Sequence, residues 1–173
     1  AENITQITSA ITEKDKQNGN SSLTKSGAGT LSLTADNAYK GNTTISEGTL
    51  AISRGGSLGS GSEIKIENGA TLKTNQNVTI NQNVVIDKGE IAKIDTGGKN
   101  SVLQGQIKDG TLEKTGNGSL TLTNAMNNQE KTTLNGGILI INDAKSLGQN
   151  NNQIEINKGT LQTSSDMVLN NKI

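Results

Sequence analysis

Residues 23–34 and 112–123 have nearly the same sequence, LTKSGAGTLSLT and LEKTGNGSLTLT, at an offset of 89 residues. The likeness continues through a Thr-Thr pair (Thr43 and Thr132 onward), a glycine before an aliphatic run (Gly48 and Gly137) and a Ser-Leu-Gly turn (Ser57 and Ser146 onward). Such self-similarity indicates supersecondary units that cannot bury an apolar face alone and must stack on their neighbours. We therefore predict a repeat protein.

The composition narrows the architecture. The 173 residues include no Pro, Cys, Trp, Phe or His and one Tyr, and only 29% are hydrophobic. Bulky aromatic side chains that usually fill a globular core are therefore missing. A β-solenoid needs only a few inward aliphatic residues in each coil, because its backbone bonds to the coils above and below. Disorder is the competing interpretation, but balanced charge and recurring Ile, Val and Thr argue against it.

A shorter period lies within the 89-residue one. One aliphatic series runs through Leu31/Leu33, Leu50/Ile52, Leu72, Ile91/Ile94 and Leu112, then Leu120/Leu122, Leu139/Ile141 and Leu161; a second runs through Ile45, Ile64/Ile66, Val84/Ile86 and Ile107. Most steps are about 20 residues, which we interpret as one coil of a parallel β-helix. The chain should then form roughly eight coils.

Turn residues separate the apolar runs. Glycine and asparagine populate left-handed conformations at little cost, and they cluster at 68–69, 97–98, 117–118, 136–137 and 150–152. We expect corners there. Strands such as 30–34 and 63–67 should alternate inward and outward, with hydroxyls and charges facing water.

Charge and hydropathy limit the partners. Sixteen basic residues balance 16 acidic ones, and the only arginine is Arg54. Without a basic stripe or aromatic platforms, nucleic-acid binding is not expected. The longest aliphatic run, Ile138–Ile141, is far short of the roughly 20 residues that span a bilayer as a helix, so direct membrane insertion is not expected either. No export signal begins the chain, so we expect that it was removed or lies upstream.

The stretch LTKSGAGTLSLT, with TTISEGTLAI at 43–52, resembles the autotransporter-associated β-strand repeat of type V secreted passenger domains in Gram-negative bacteria. Residues 112–141 resemble it a second time, with Asn117 in place of Ala28 and GILII in place of GTLAI. The resemblance implies a right-handed parallel β-helix, export as an unfolded chain through a C-terminal β-barrel, and folding at the cell exterior. That barrel is not within these residues, so we expect an internal segment.

The repeats suggest a division of the chain. We expect one solenoid over residues 1–173, in which 1–22 is the tail of a preceding coil or an N-terminal coil. Residues 23–111 would form the first 89-residue repeat, and 112–173 a second, truncated repeat.

Catalysis is the main competing hypothesis, because parallel β-helices also house polysaccharide lyases and hydrolases. Glycosidases need two carboxylates at a defined separation. The candidates are Asp87, Glu90, Asp95, Asp109 and Glu113. Most charged residues simply solvate a surface, so we predict no catalytic residue.

Other candidates are weaker. Tyr39, in an Asn-x-Tyr-x-Gly stretch with Asn37 and Gly41, is the only ring that could stack on a sugar, and we expect it to be a loop residue. Arg54, in the glycine-rich stretch 53–63, could anchor a carboxylate or phosphate, but a flexible corner is the simpler interpretation. We predict no cofactor, and without His or Cys no transition-metal site.

Two functional classes remain. The favoured one is a non-enzymatic stalk or adhesin segment of a passenger at the bacterial surface, outer-membrane anchored or secreted. Its stacked Asn, Thr and Lys side chains would face a host or bacterial surface protein or glycan. The alternative is a fragment of a carbohydrate-active β-helix enzyme or of a secreted toxin. Acidic residues gathered in one groove would favour the enzyme, and dispersed ones the stalk.

Overall fold

The computed structural model describes residues 3–13, 20–67, 69–149 and 152–173. Within them the chain is all-β. Parallel strands wind into a β-solenoid of about seven turns with about 21 residues in each. The predicted fold class is confirmed, with about seven turns where roughly eight were expected.

In the described residues, 16 strands form two parallel sheets, of 11 and five strands. They are β1 (Ile4–Ile7), β2 (Leu23–Lys25), β3 (Thr30–Leu33), β4 (Thr43–Ile45), β5 (Thr49–Ile52), β6 (Glu63–Ile66), β7 (Thr71–Thr74), β8 (Thr79–Ile80), β9 (Asn83–Val85), β10 (Ile91–Asp95), β11 (Ser101–Leu103), β12 (Ile107–Lys108), β13 (Thr111–Thr115), β14 (Ser119–Leu122), β15 (Lys131–Ile141) and β16 (Gln153–Thr163). The strand β1 confirms that residues 4–7 are extended and not helical.

The solenoid has three faces. Face 1 is the five-stranded sheet, β2-β4-β6-β9-β12. Face 2 contains β1, β3, β5, β7, β10 and β13, followed by the first halves of β15 and β16. Face 3 contains β8, β11 and β14, followed by the second halves of β15 and β16. The long strands β15 and β16 turn the corner between faces 2 and 3, so the larger sheet is continuous.

Like residues stack on like along the faces. On face 2, Leu31, Leu50, Leu72 and Ile94 are in register, as the first series predicted. Two members of that series were wrong. Ile91 points outward and is 42% exposed. Leu112 is buried, but its partner on β10 is Ala92 and not Ile94.

The second series is confirmed on face 1. Ile64 stacks between Thr43 and Val84, and Val84 pairs in turn with Ile107. Ile45 and Ile66 form a parallel row two residues further on. Apart from Thr43, these side chains belong to one continuous cluster of buried aliphatic residues. Each coil thus contributes a few aliphatic side chains to a single narrow core. Their burial stabilises the fold by roughly 25 cal/mol for each Å² of apolar surface removed from water.

One glycine corner recurs in both repeats. Gly48 and Gly137 have φ of 69° and 68°, a left-handed conformation that favours glycine. A Cβ atom at Gly48 would meet the carbonyl oxygens of Gly27 and Gly29, and one at Gly137 would meet those of Gly116 and Gly118. The predicted corner at 136–137 is therefore real, although it lies inside β15. Two other predicted corners include residues 68, 150 and 151, which lie outside the described residues.

The two sequence repeats lie on different faces. Leu31 and Leu120 are equivalent in sequence, yet Leu31 lies on face 2 and Leu120 on face 3. Four steps along face 2 lead from Leu31 to Lys114, and Leu120 lies six residues beyond Lys114. The 89-residue period is thus four coils plus one face. The second repeat is turned by about one third of a revolution relative to the first.

A short 3₁₀ helix closes the corresponding coil of each repeat. The helices are Gly55–Leu58 and Ala144–Leu147, and they bury Leu58 and Leu147 in the core. The predicted Ser-Leu-Gly turns are confirmed. The stretch 53–63 is therefore not a plain flexible corner, because its single leucine, Leu58, anchors it to the core.

Candidate functional surface

A shallow groove follows face 2 of the first repeat. The threonines Thr30, Thr49 and Thr71 are in register along it, one on each of three neighbouring strands. Two residues further along their strands, Ser32 and Ala51 are small and buried, so the surface is low there. The resulting groove has a volume of about 310 Å³. Its surface offers hydroxyl groups and carries no charged side chain on β3 and β5.

An ion pair lies at the second-repeat end of this groove. Lys73 Nζ is 3.5 Å from Asp95 Oδ2, on the next strand of face 2. Asp95 Oδ1 also accepts a hydrogen bond of 2.7 Å from the backbone N–H of Gly97. Both oxygens of Asp95 therefore have partners within the chain.

Further ion pairs join successive coils on the outer surface. Lys65 Nζ lies 2.9 Å from Glu67 and 3.0 Å from Asp87, and hydrogen bonds to these carboxylates, Glu67 first, raise the pKa of Lys65. Lys131 pairs with Glu155, and this hydrogen bond lowers the pKa of the Glu155 carboxyl. These pairs are partly exposed, so each contributes little to stability.

The five candidate carboxylates lie in two groups. Asp87 is exposed and pairs with Lys65 beside face 1, and Glu113 accepts a 2.7 Å hydrogen bond from Asn135 Nδ2 on face 2. Glu90 lies in the turn between β9 and β10, and Asp109 lies in a turn with φ of 55°. Of the five, Asp95 alone lines the groove along the described part of face 2. Asp87, Glu90 and Asp109 belong to stacked turns between faces 1 and 2, and Asp95 and Glu113 lie on neighbouring strands of face 2.

Tyr39 does not offer a stacking surface. It lies in a loop, as predicted, but its side chain is 1% exposed and its hydroxyl bonds to Thr43 Oγ1 at 2.7 Å. Burial raises the pKa of the Tyr39 phenol, and the bond to Thr43 opposes that shift. The ring therefore fills the core of the coil. Arg54 is exposed and lies 3.6 Å from Asp36, so its guanidinium already has an acidic neighbour.

Two buried lysines are the functional groups that sequence reasoning missed. Lys25 and Lys114 are 6% and 0% exposed, although charges were expected to face water. Lys25 Nζ donates to the carbonyl oxygens of Ser26, Gly27 and Glu47, at 3.1, 2.6 and 3.0 Å. The inward ammonium thus satisfies three backbone acceptors at the corner.

Lys114 repeats this arrangement on face 2. Its Nζ donates to Thr115 O, Gly116 O and Gly136 O at 2.6, 2.9 and 3.1 Å. Burial lowers the pKa of Lys114 to about 8, and the charge of Asp95 opposes that shift. The pattern Leu-x-Lys-x-Gly occurs at both 23–27 and 112–116, and it could have revealed these lysines. A lysine that only faces water has no reason to keep the same position before a left-handed glycine in both repeats.

Neither a metal-binding cluster nor a membrane-spanning helix occurs in the described residues. In that part of the chain, no three acidic side chains gather closely enough to hold a metal ion. No helix in those residues is long and apolar enough to cross a bilayer.

Known proteins contain sequences similar to this chain. The family model described as the passenger-associated-transport-repeat matches residues 23–52 and 112–141. A curated relative, the "Adhesin BmaC autotransporter" of Brucella suis biovar 1 (strain 1330), is 40% identical over 107 residues, which is 60% of this chain. The chain is thus similar to autotransporter passengers that carry this repeat.

The match covers only 3% of the length of that relative. No solved structure matches the chain. The two matched stretches are also those that contain the buried lysine and the glycine corner. The family pattern therefore coincides with the residues that shape the backbone between two faces, and not with a set of reactive groups.

Proposed function

We propose that this passenger segment is a non-enzymatic stalk that also takes part in adhesion at the surface of a Gram-negative bacterium, outer-membrane anchored or secreted. The observation that carries the proposal is the pair of passenger repeats built into one continuous parallel solenoid. A relative named as an adhesin supports the same role. Asp87, Asp95 and Glu113 have partners on neighbouring coils, which adds to the argument against a hydrolase.

The solenoid also suggests how the segment folds during export. Each coil pairs its strands with the coil before it and adds aliphatic side chains to the same core. A chain that emerges through a C-terminal barrel of the same polypeptide would find a template in the coils already folded. Folding outside would then oppose backward sliding of the chain. Within this scheme we retain the division into residues 1–22, 23–111 and 112–173.

The partner class is part of the proposal. The outer surface presents hydroxyl, amide and paired charged groups instead of aromatic rings, which suits a polar partner such as a host or bacterial surface protein or a glycan. We propose no nucleic acid, cofactor or metal partner, and no catalytic residue.

Surface display of the full-length passenger tests the stalk role. Leu50→Asn and Leu139→Asn place an amide in the core at equivalent positions of the two repeats, where both leucines are 0% exposed. We expect lower thermal stability and less protease-resistant passenger on the cell surface. Thr24→Asn, on the exposed side of face 1, is the matched control and should leave display unchanged. Normal display of a variant whose solenoid is unfolded would contradict the proposal.

Adhesion is tested separately with the purified chain. Added chain should reduce the attachment of bacteria that display the passenger, whereas the unfolded Leu50→Asn chain should not. If the folded chain has no effect while display depends on Leu50, the segment is a stalk without a binding role.

A further inference from the structure

Besides Asn171 Nδ2, two buried polar atoms in the described residues of the second repeat have no hydrogen-bond partner in the chain. They are Gln129 Oε1 and Ser146 Oγ, and both residues are 0% exposed. They belong to neighbouring side chains, since Gln129 Nε2 donates to Ser146 O at 3.3 Å. Buried polar groups without partners are costly, and most such groups in folded proteins are satisfied by protein or by an ordered water.

The same place in the first repeat is filled differently. Asn37 Nδ2 donates to Ser57 O, and Asn127 Nδ2 donates to Ser146 O, so the two loops are equivalent there despite an offset of 90 residues instead of 89. A Cβ atom at Gly59 would face Tyr39 O, and one at Gly148 would face Gln129 O. Gln129 therefore occupies the position of Tyr39.

The hydrogen bonds around these two residues also correspond. Tyr39 Oη bonds to Thr43 Oγ1, and Gln129 Nε2 donates to the equivalent Thr132 Oγ1 at 3.1 Å. In the first repeat Ser57 Oγ donates to Leu33 O at 3.2 Å, and no such bond is made by Ser146 Oγ. A glutamine side chain has fewer non-hydrogen atoms than a tyrosine, and the exchange leaves two unpaired polar groups.

Reversing the amide of Gln129 does not remove the problem. The backbone oxygen of Ser146 only accepts hydrogen bonds, so it fixes Nε2 on its own side. Oε1 is then left as an acceptor that needs a donor. A water molecule can donate to Oε1 and at the same time accept from or donate to Ser146 Oγ.

We propose that the second repeat binds one internal water between Gln129 Oε1 and Ser146 Oγ, at the position that the Tyr39 ring occupies in the first repeat. The water satisfies both orphaned atoms and completes a polar core formed with Asn127 and Thr132, which are 1% and 0% exposed. The two repeats therefore close the equivalent coil by different means, one with an aromatic ring and the other with a bound water.

A crystal structure of the 173-residue chain that resolves ordered waters decides the question. We expect a density peak within hydrogen-bond distance of both Gln129 Oε1 and Ser146 Oγ. Absence of a peak, or a direct bond between Gln129 and Ser146, would overturn the proposal.

Thermal unfolding provides an independent test. Ser146→Ala removes one partner of the water, and we expect the midpoint to fall by about 2–4 °C. A dry site predicts the opposite, because the substitution would then delete an unpaired hydroxyl, so an unchanged or higher midpoint counts against the water. Gln129→Tyr recreates the first repeat, and should raise the midpoint while the peak disappears from the crystal structure. Retention of the peak beside a tyrosine ring would show that the water occupies some other position.

Discussion

The two repeats agree at the backbone and differ in the loop that closes the coil. Both contain a lysine that donates to three carbonyl oxygens and a left-handed glycine pressed against the preceding coil. By contrast, Tyr39 is replaced by Gln129, and Arg54 by Asp143. The repeated residues thus determine the geometry of one corner, whereas the loop that closes the coil differs between the repeats.

The second repeat is rotated by one face relative to the first, so the equivalent corners lie at different places around the solenoid. In the first repeat the corner joins faces 1 and 2, and in the second it joins faces 2 and 3. A surface feature encoded by the repeat therefore winds around the solenoid instead of forming one line along it. A partner that binds two repeats together would have to reach around the column.

The glycine corners should give the largest effects. In both Gly48→Ala and Gly137→Ala, the new Cβ must be accommodated in a left-handed backbone against carbonyl oxygens of the preceding coil. We expect each to lower the free energy of unfolding by about 3 kcal/mol or more, measured with urea. Gly27→Ala is the control, because φ is 76° but nothing lies within 4 Å of its Cβ. It should cost about 1–2 kcal/mol. Equal losses at Gly27 and Gly48 would show that close packing is not the cause.

The buried lysines come next. Lys114→Met leaves the carbonyl oxygens of Gly116 and Gly136 without a donor in a site that water does not reach, so we expect a loss of about 2–3 kcal/mol. Lys25 is slightly exposed, at 6%. Lys25→Met should therefore cost less, about 1–2 kcal/mol, since water can replace part of what is lost. The reverse order in urea unfolding would contradict this account of burial.

The pH dependence of the unfolding free energy tests the effect of burial on the Lys114 ammonium. Burial lowers the pKa of folded Lys114 to about 8, from 10.5 for an unperturbed lysine. Between these values the unfolded chain binds more protons than the folded one, so stability should rise with pH from about 8 toward 10.5. Below pH 8 the cost of burying the charge is fully present. The measurement is the difference in unfolding free energy between the native chain and Lys114→Met, which cancels the titration of Tyr39. A difference that does not change with pH would show that Lys114 stays fully charged.

The sequence predicted the repeat, the coil length and most of the stacking, because aliphatic residues at steps of about 20 have one simple arrangement. It did not predict that Lys114 takes the place in register with Ile94, since a lysine in an alternating strand is normally outward. It misplaced Ile91 for a related reason. Ile91 and Ile94 lie three residues apart and therefore face opposite sides of β10. The three-residue spacing within the strand indicates that only one of the two can point inward, and the average coil period of about 20 residues does not show this.

The inward place of Tyr39 was equally hidden from sequence reasoning. A loop tyrosine beside glycine and asparagine is typical of an exposed turn. Tyr39 is nevertheless a core residue, because its ring lies inside the coil and its hydroxyl bonds to Thr43. The surface groove depends in the same way on register, because it arises where small residues of successive coils coincide.

The 3₁₀ helices should give the smallest effects. Asp143 caps the second helix by accepting a 2.8 Å hydrogen bond from the N–H of Lys145, whereas Arg54 makes no side-chain cap at the first. Asp143→Ala should therefore lower the free energy of unfolding by about 1 kcal/mol. Arg54 has the same extended backbone, with φ of −156° and ψ of 161°. Arg54→Asn should raise stability by about 0.5 kcal/mol, because a cap is worth more than the exposed ion pair with Asp36 that it replaces. A loss at Arg54→Asn would mean that the ion pair holds the first helix in place, and the two repeats would then differ in how this turn is fixed as well as in what lies beneath it.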